Sequence, residues 1–115
     1  MSSNFRRLVA YQRAAELASE LHTAVQRWPL LERKTIGEQL IRSATSVAAN
    51  IAEASGRWHG PDRRQLLLIA RGSLRETEHW IAYAETRGLL APGTADRTED
   101  IARPLSGLIR KTQTT

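Results

Sequence analysis

The sequence predicts an all-α protein, a single-domain antiparallel up-down-up-down four-helix bundle over residues 1–115. Three observations predict it. Apolar residues recur at helical spacing in four stretches, and the connections between those stretches are short and hold Pro or Gly. No segment of useful length alternates apolar and polar residues as a strand does.

Residues 1–7 read as a flexible arm. The first helix is expected from Leu8 to Trp28, where Tyr11, Ala14, Leu17, Ala18, Leu21, Val25 and Trp28 form one stripe. Pro29 ends it, because a residue before proline is pushed out of helical geometry. After a connection over Leu30–Lys34, Thr35 and Glu38 have the spacing of a capping box, so the second helix is expected from Thr35 to Ser55, with Gly56 as its stop. In it Leu40, Ala44, Val47, Ala48, Ile51 and Ala52 share a face, and Gln39, Ser43, Ser46, Asn50, Glu53 and Arg57 lie opposite. A solvated helix face normally carries Lys, Glu and Arg. This one is mostly Ser, Asn and Ala, which predicts close approach from two sides: the chain's own core and a partner.

Gly60-Pro61-Asp62 suits a helix start, so the third helix is expected from Pro61 to Arg87, stopped by Gly88. Its inner face reads Leu66, Ile69, Ala70, Ser73, Leu74, Thr77, Ile81 and Ala84. Its outer face reads Arg64, Leu68, Arg71, Gly72, Arg75, His79 and Ala82. A turn over Leu89–Gly93 precedes a fourth helix, Thr94–Lys111, with Ile101, Leu105, Leu108 and Ile109 inward. Pro104 predicts a kink or a helix that starts near Pro104. Residues 112–115 are expected to fray.

Composition narrows the function. Apolar residues at 41% and charged ones at 25% fit a globular domain with one core. The absence of Cys removes disulfides, thiolate metal sites and a cysteine nucleophile. No apolar run approaches the ~20 residues of a membrane span, and MSSNFRR lacks an apolar signal core, so a cytoplasmic protein with no membrane partner is expected. The net charge is +5, carried by fifteen Arg and two Lys. Arg favours bidentate phosphate contact and stacking on bases, but a GC-rich genome raises Arg in the same way.

The run AANIAEASGR, preceded by GEQLIRSA and followed by ARGSLRETEHWIAYAETRGLL, resembles the four-helix-bundle family of 23S rRNA intervening-sequence proteins. FRRLVAYQRAAELASELH and LSGLIRKT are similar to the same family, so the resemblance spans nearly the whole chain. It implies a small homo-oligomer, as in relatives built as five-membered rings, hence a pentamer. It extends to the accessory protein of diversity-generating retroelements, which implies as partners RNA or DNA and a reverse transcriptase or another protein. It implies no catalytic residues.

The residues themselves point the same way. A di-metal carboxylate site needs two Glu-x-x-His pairs facing inward. The chain has one pair, Glu76 and His79, off the apolar face, while Glu16 and Glu20 sit on the wet side of the first helix. No nucleophile elbow or Gly-rich phosphate loop is present. No enzyme activity, catalytic residue, metal or cofactor is therefore expected.

Residues 58–75 hold four arginines against one acid, the densest positive segment. Arg64, Arg71 and Arg75 align on the outer face of the third helix, Arg57 and Arg63 flank its start, and Trp58 adjoins them. Basic residues beside an aromatic suit single-stranded or looped RNA. These six are the candidate nucleic-acid-binding residues. The competing readings are a solvated face with Trp58 tucked against the bundle end, or an assembly scaffold whose arginines meet subunits or acidic partners. Asn50 and Glu53 are expected to make a structural polar contact, with Arg57 or with an arginine of another helix or subunit.

Overall fold

The computed structural model describes residues 4–114. The flexibility expected of residues 1–3 and 115 lies outside them. The described chain is all helical: α1 Val9–Val25, a single turn α2 Leu30–Glu32, α3 Glu38–Ser55, α4 Gly60–Thr86 and α5 Glu99–Lys111. α1, α3, α4 and α5 are the four long helices. α1 packs on α3, α3 on α4, α4 on α5, and α5 on α1, enclosing the core. The α3–α4 contact is the most extensive. The body measures 46 × 23 × 20 Å.

The core is aliphatic. Leu17, Leu21 and Val25 from α1 meet Leu40, Val47 and Ile51 from α3, Leu67, Leu74 and Ile81 from α4, and Ile101, Leu105 and Ile109 from α5. Trp28 closes one end, also buried.

The expected capping box is not formed. α2 begins directly after Pro29, whose carbonyl accepts from the Arg33 amide at 2.9 Å. A π turn, Arg33–Gly37, then joins α2 to α3 without a break. Thr35 therefore sits inside helical backbone, and its hydroxyl donates to the Leu31 carbonyl at 2.8 Å. Proline at the cap already supplies the helix start, so no second start is needed. Gly37 is buried in the π turn. A Cβ there would lie 2.6 Å from Val25 Cγ1, so only glycine lets α1 approach this closely.

The other ends follow the sequence more closely. Gly88 has φ +73°, and the Leu89 amide reaches back to the Ala84 carbonyl at 2.8 Å, the bond that closes a left-handed helix terminus. Gly56, at φ −90°, ends α3 without that conformation. The last long helix is divided: Thr94–Thr98 is a 3-10 helix, and α5 proper starts at Glu99, five residues before Pro104. Glu85 holds the turn before it, accepting from the amides of Gly93 at 3.2 Å and Ala95 at 2.7 Å.

Two faces are placed differently from the expectation. Ser43, expected opposite the core, is fully buried, because α4 covers that side of α3. Its hydroxyl lies 3.0 Å from that of Thr77, which donates to the Ser73 carbonyl at 2.8 Å. On α4, Leu67 is buried and Ile69 is 43% exposed. Leu66 to Ile69 is one apolar run, so its helical phase could be read two ways, and α5 selects the one centred on Leu67. At the amino end, Phe5–Arg7 forms a 3-10 turn where a loose arm was expected, with Phe5 edge-on to Tyr11 at 4.8 Å. Thr112–Thr114 is a further 3-10 turn.

Candidate nucleic-acid interface

Arg64, Arg71 and Arg75 fall in one narrow strip of α4, since seven and four residues are close to whole helical turns. The strip borders the groove between α4 and α5. Arg71, Leu74, Arg75 and Glu78 form one wall, and Thr98, Glu99, Ala102 and Ser106 the other, around a cavity of 40 Å³.

The three arginines differ in their surroundings. Arg71 is exposed and has no hydrogen-bond or ion-pair partner among the described residues. Arg75 Nη1 lies 3.5 Å from Glu78 Oε1, with the arginine side chain 71% exposed. A pair that long and that solvated contributes little. Arg64 is half-buried, and its Nη1 is buried without an acceptor. No carboxylate therefore neutralises the strip as a whole.

Arg63 points elsewhere. Its Nη1 donates to the carbonyls of Trp58 at 3.0 Å and Arg57 at 3.3 Å, so it braces the loop before α4. It also lines an apolar cavity of about 220 Å³ at that end of the bundle, with Ile51, Leu67 and Leu108. Trp58 is thus held by its backbone while its side chain projects outward, 78% exposed. Within the chain it is not tucked against the bundle end. Arg57 is committed to Glu53 at 2.7 Å, both about half exposed. That is the pairing one turn away, of the two partners expected for Glu53.

Asn50 belongs to the α3–α4 seam. Its Nδ2 donates to the Ser46 carbonyl at 2.8 Å and approaches Ser46 Oγ at 3.0 Å. Ser46 Oγ in turn lies 2.9 Å from Ser73 Oγ. The two residues expected to act as one polar contact are thus divided: Asn50 into the seam, Glu53 to an exposed pair.

The Glu-x-x-His residues are engaged by neighbouring side chains. Glu76 pairs with Arg42 and accepts from Trp80 Nε1 at 3.0 Å. His79 stands edge-on to Trp80 at 4.7 Å. Glu20 is taken by Arg97, and that hydrogen bond is the main cause holding the Arg97 guanidinium above its ordinary pKa. No group of three or more His, Cys, Asp or Glu suited to a metal ion occurs among the described residues.

Sequence reasoning missed two further arginines on α5. Arg103 and Arg110 are both exposed, seven residues apart, on the side away from Ile101, Leu105 and Ile109. Arg110 leans over Gly107, its Nη2 3.7 Å from where a Cβ of that glycine would sit, on the side of α5 that faces Leu8 and Val9.

Residues 6–111 match the family described as 23S rRNA-intervening sequence protein. The chain belongs to that family. No curated protein matches the chain. The intervening-sequence family match covers all four long helices and the candidate interface. Among the described residues, no helix is long and apolar enough to cross a membrane.

Proposed function

We propose that the protein is non-enzymatic and associates with RNA or another nucleic acid in the cytoplasm, through the arginine strip of α4 and the exposed Trp58. The observation that carries this reading is the state of the strip. Arg64 and Arg71 have no carboxylate partner, and Arg75 has only a loose one. Guanidinium groups without carboxylate partners, Arg71 and Arg75 of them exposed, suit phosphate, and a projecting indole suits an unstacked base.

The test is a fluorescence anisotropy titration of single-stranded RNA against the protein and the triple variant Arg64→Gln, Arg71→Gln, Arg75→Gln. The triple variant binds more weakly, and its log K against log[salt] slope is flatter by about 2, from roughly 0.7 per lost phosphate contact. Equal affinity and slope for the two proteins removes the reading.

A second reading has its own support. Ile69 and Tyr83 are each more than 40% exposed; Tyr83 stands edge-on to half-buried Trp80 at 6.5 Å, and Ile69 lies one turn before Ser73 of the α3–α4 seam. Aromatic residues with Arg42 near them suit a subunit contact. On this reading the chain assembles with copies of itself, in the five-subunit ring implied by the family resemblance, and serves as a scaffold. Light scattering tests it: Ile69→Lys with Tyr83→Lys lowers the solution mass, and an unchanged mass removes it.

A further inference from the structure

The first turn of α1 and the last two turns of α5 leave an apolar groove between them. Leu8, Val9, Ala10, Pro104, Gly107 and Leu108 line it, around a cavity of 210 Å³. We propose that this groove docks an acidic amphipathic helix of a partner protein. The helix places aliphatic side chains in the cavity, and its carboxylates meet the cations at the groove's edge. The proposal goes beyond the nucleic-acid reading and uses none of its residues.

Gly107 is the residue that the folded chain does not account for. A glycine in a helix interior weakens the helix, and close packing is the usual reason for one. Gly37 has that reason, since Val25 lies against it. Gly107 does not. Among the described residues, a Cβ there would meet only Arg110 Nη2 at 3.7 Å, an ordinary contact with the end of a flexible side chain. The space above Gly107 faces outward, and Val9, which lines the same cavity, is 45% exposed. A floor without a side chain lets a helix from outside come close.

Charge defines the visitor. No acid lines the groove, and Lys111 does. Arg110 reaches over Gly107, and Arg103 is exposed one turn before it. Arg13, one turn beyond Val9, donates to the backbone carbonyl of Asp100. Arg13, Arg103 and Arg110 have no carboxylate partner among the described residues. The acids next along the two helices, Glu16 and Asp100, line the neighbouring cavity together with Arg97.

Other occupants fit less well. The cavity is smaller than the roughly 300–1,000 Å³ of small-molecule sites. A nucleobase in it would leave ring nitrogens and carbonyl oxygens unpaired, because Lys111 is the single polar side chain in the lining. A bilayer takes projecting apolar side chains, and this surface is concave. A helix delivers aliphatic side chains at i, i+3, i+4 and i+7. Those span two turns, as Pro104 to Lys111 does.

The probe is a fluorescein-labelled synthetic peptide with Leu at i, i+3, i+4 and i+7 and Glu on both flanks, followed by anisotropy. Three proteins are titrated: unaltered, Gly107→Leu, and Arg103→Glu with Arg110→Glu. Circular dichroism melts check each fold. Gly107→Leu fills the groove and removes a mid-helix glycine, so it melts at or above the unaltered protein while peptide affinity falls about tenfold or more. The charge-reversed variant loses about as much, and its binding no longer weakens with salt. No saturation of the unaltered protein at about 1 mM peptide overturns the proposal. Equal binding by Gly107→Leu, or by a peptide with Ser in place of each Leu, overturns it too. If Gly107→Leu melts early, the charge-reversed variant decides, and unchanged affinity there overturns the proposal. Loss of oligo(U) binding in Gly107→Leu gives the groove to nucleic acid instead. A lower mass of Gly107→Leu by light scattering, with no peptide present, gives it to a second copy of the chain. Either result overturns the partner-helix assignment and leaves the α4 reading to its own test.

Discussion

The guanidinium of Arg13 donates a 2.7 Å hydrogen bond to the backbone carbonyl of Asp100, from α1 across to α5. Asp100 lies four residues before Pro104, so its carbonyl is the one that Pro104, lacking an N–H, cannot serve within the helix. An arginine from a neighbouring helix thus supplies the donor that the proline withholds. This lets Pro104 sit inside α5, although the sequence suggested a kink or a start at that point. Arg13→Ala is expected to cost about 1 kcal/mol in the native chain and clearly less in a Pro104→Ala background, where the amide takes over. A double-mutant cycle in urea that shows strict additivity would break this link.

The buried hydroxyls of Ser43 and Thr77 should also couple. Either Ser43→Ala or Thr77→Val removes the bond between the two hydroxyls, at about 1 kcal/mol each, while Ser43 keeps the Leu40 carbonyl and Thr77 the Ser73 carbonyl as acceptors. The double variant should lose less than the sum, since both single variants lose the same bond. Denaturant midpoints of the four proteins measure it.

Gly37 should not tolerate a methyl group. Gly37→Ala pushes a Cβ against Val25 Cγ1, at about 1–3 kcal/mol. Val25→Ala in the same chain should recover part of that loss while opening a space of its own. A midpoint for Gly37→Ala equal to that of the parent protein contradicts the close approach.

Glu85 caps two amides with one carboxylate, so Glu85→Ala should destabilise by about 1–2 kcal/mol. Hydrogen exchange should rise first at Gly93 and Ala95. Uniform exchange across the chain would point to a global effect instead.

The Arg97–Glu20 pair should respond to salt rather than to pH between 5 and 9. Glu20 raises the Arg97 pKa, so the pair's contribution is complete below the ordinary arginine range and is lost only as pH climbs through the higher folded value. Both side chains are substantially exposed, which limits the pair to about 1 kcal/mol or less. Thermal melts of Glu20→Gln at low and high salt check it: the difference from the parent should shrink as salt rises.

Helix ends were legible where a single residue decides them. Pro29 and Gly88 act through their own backbone, and both ends fell at or within a few residues of where they were expected. Thr35 misled because Thr-x-x-Glu fits two arrangements: a cap, or a mid-helix threonine returning its hydroxyl to the preceding turn. Ser43 misled because its partner is 34 residues away, and no local pattern shows a hydroxyl meeting another across helices. The α4 arginine strip was legible from spacing alone. The separation of Arg63 from it was not, because that depends on two loop carbonyls.

The π turn at Arg33–Gly37 carries one residue more than an α-helical turn would. Chain length is therefore negotiable at this spot. Removal of Lys34 would tighten the turn to ordinary helix and leave Val47 and Ile51 facing inward. The same deletion anywhere from Gln39 to Ala49 would swing the remainder of α3 by about 100° and turn its aliphatic side to water.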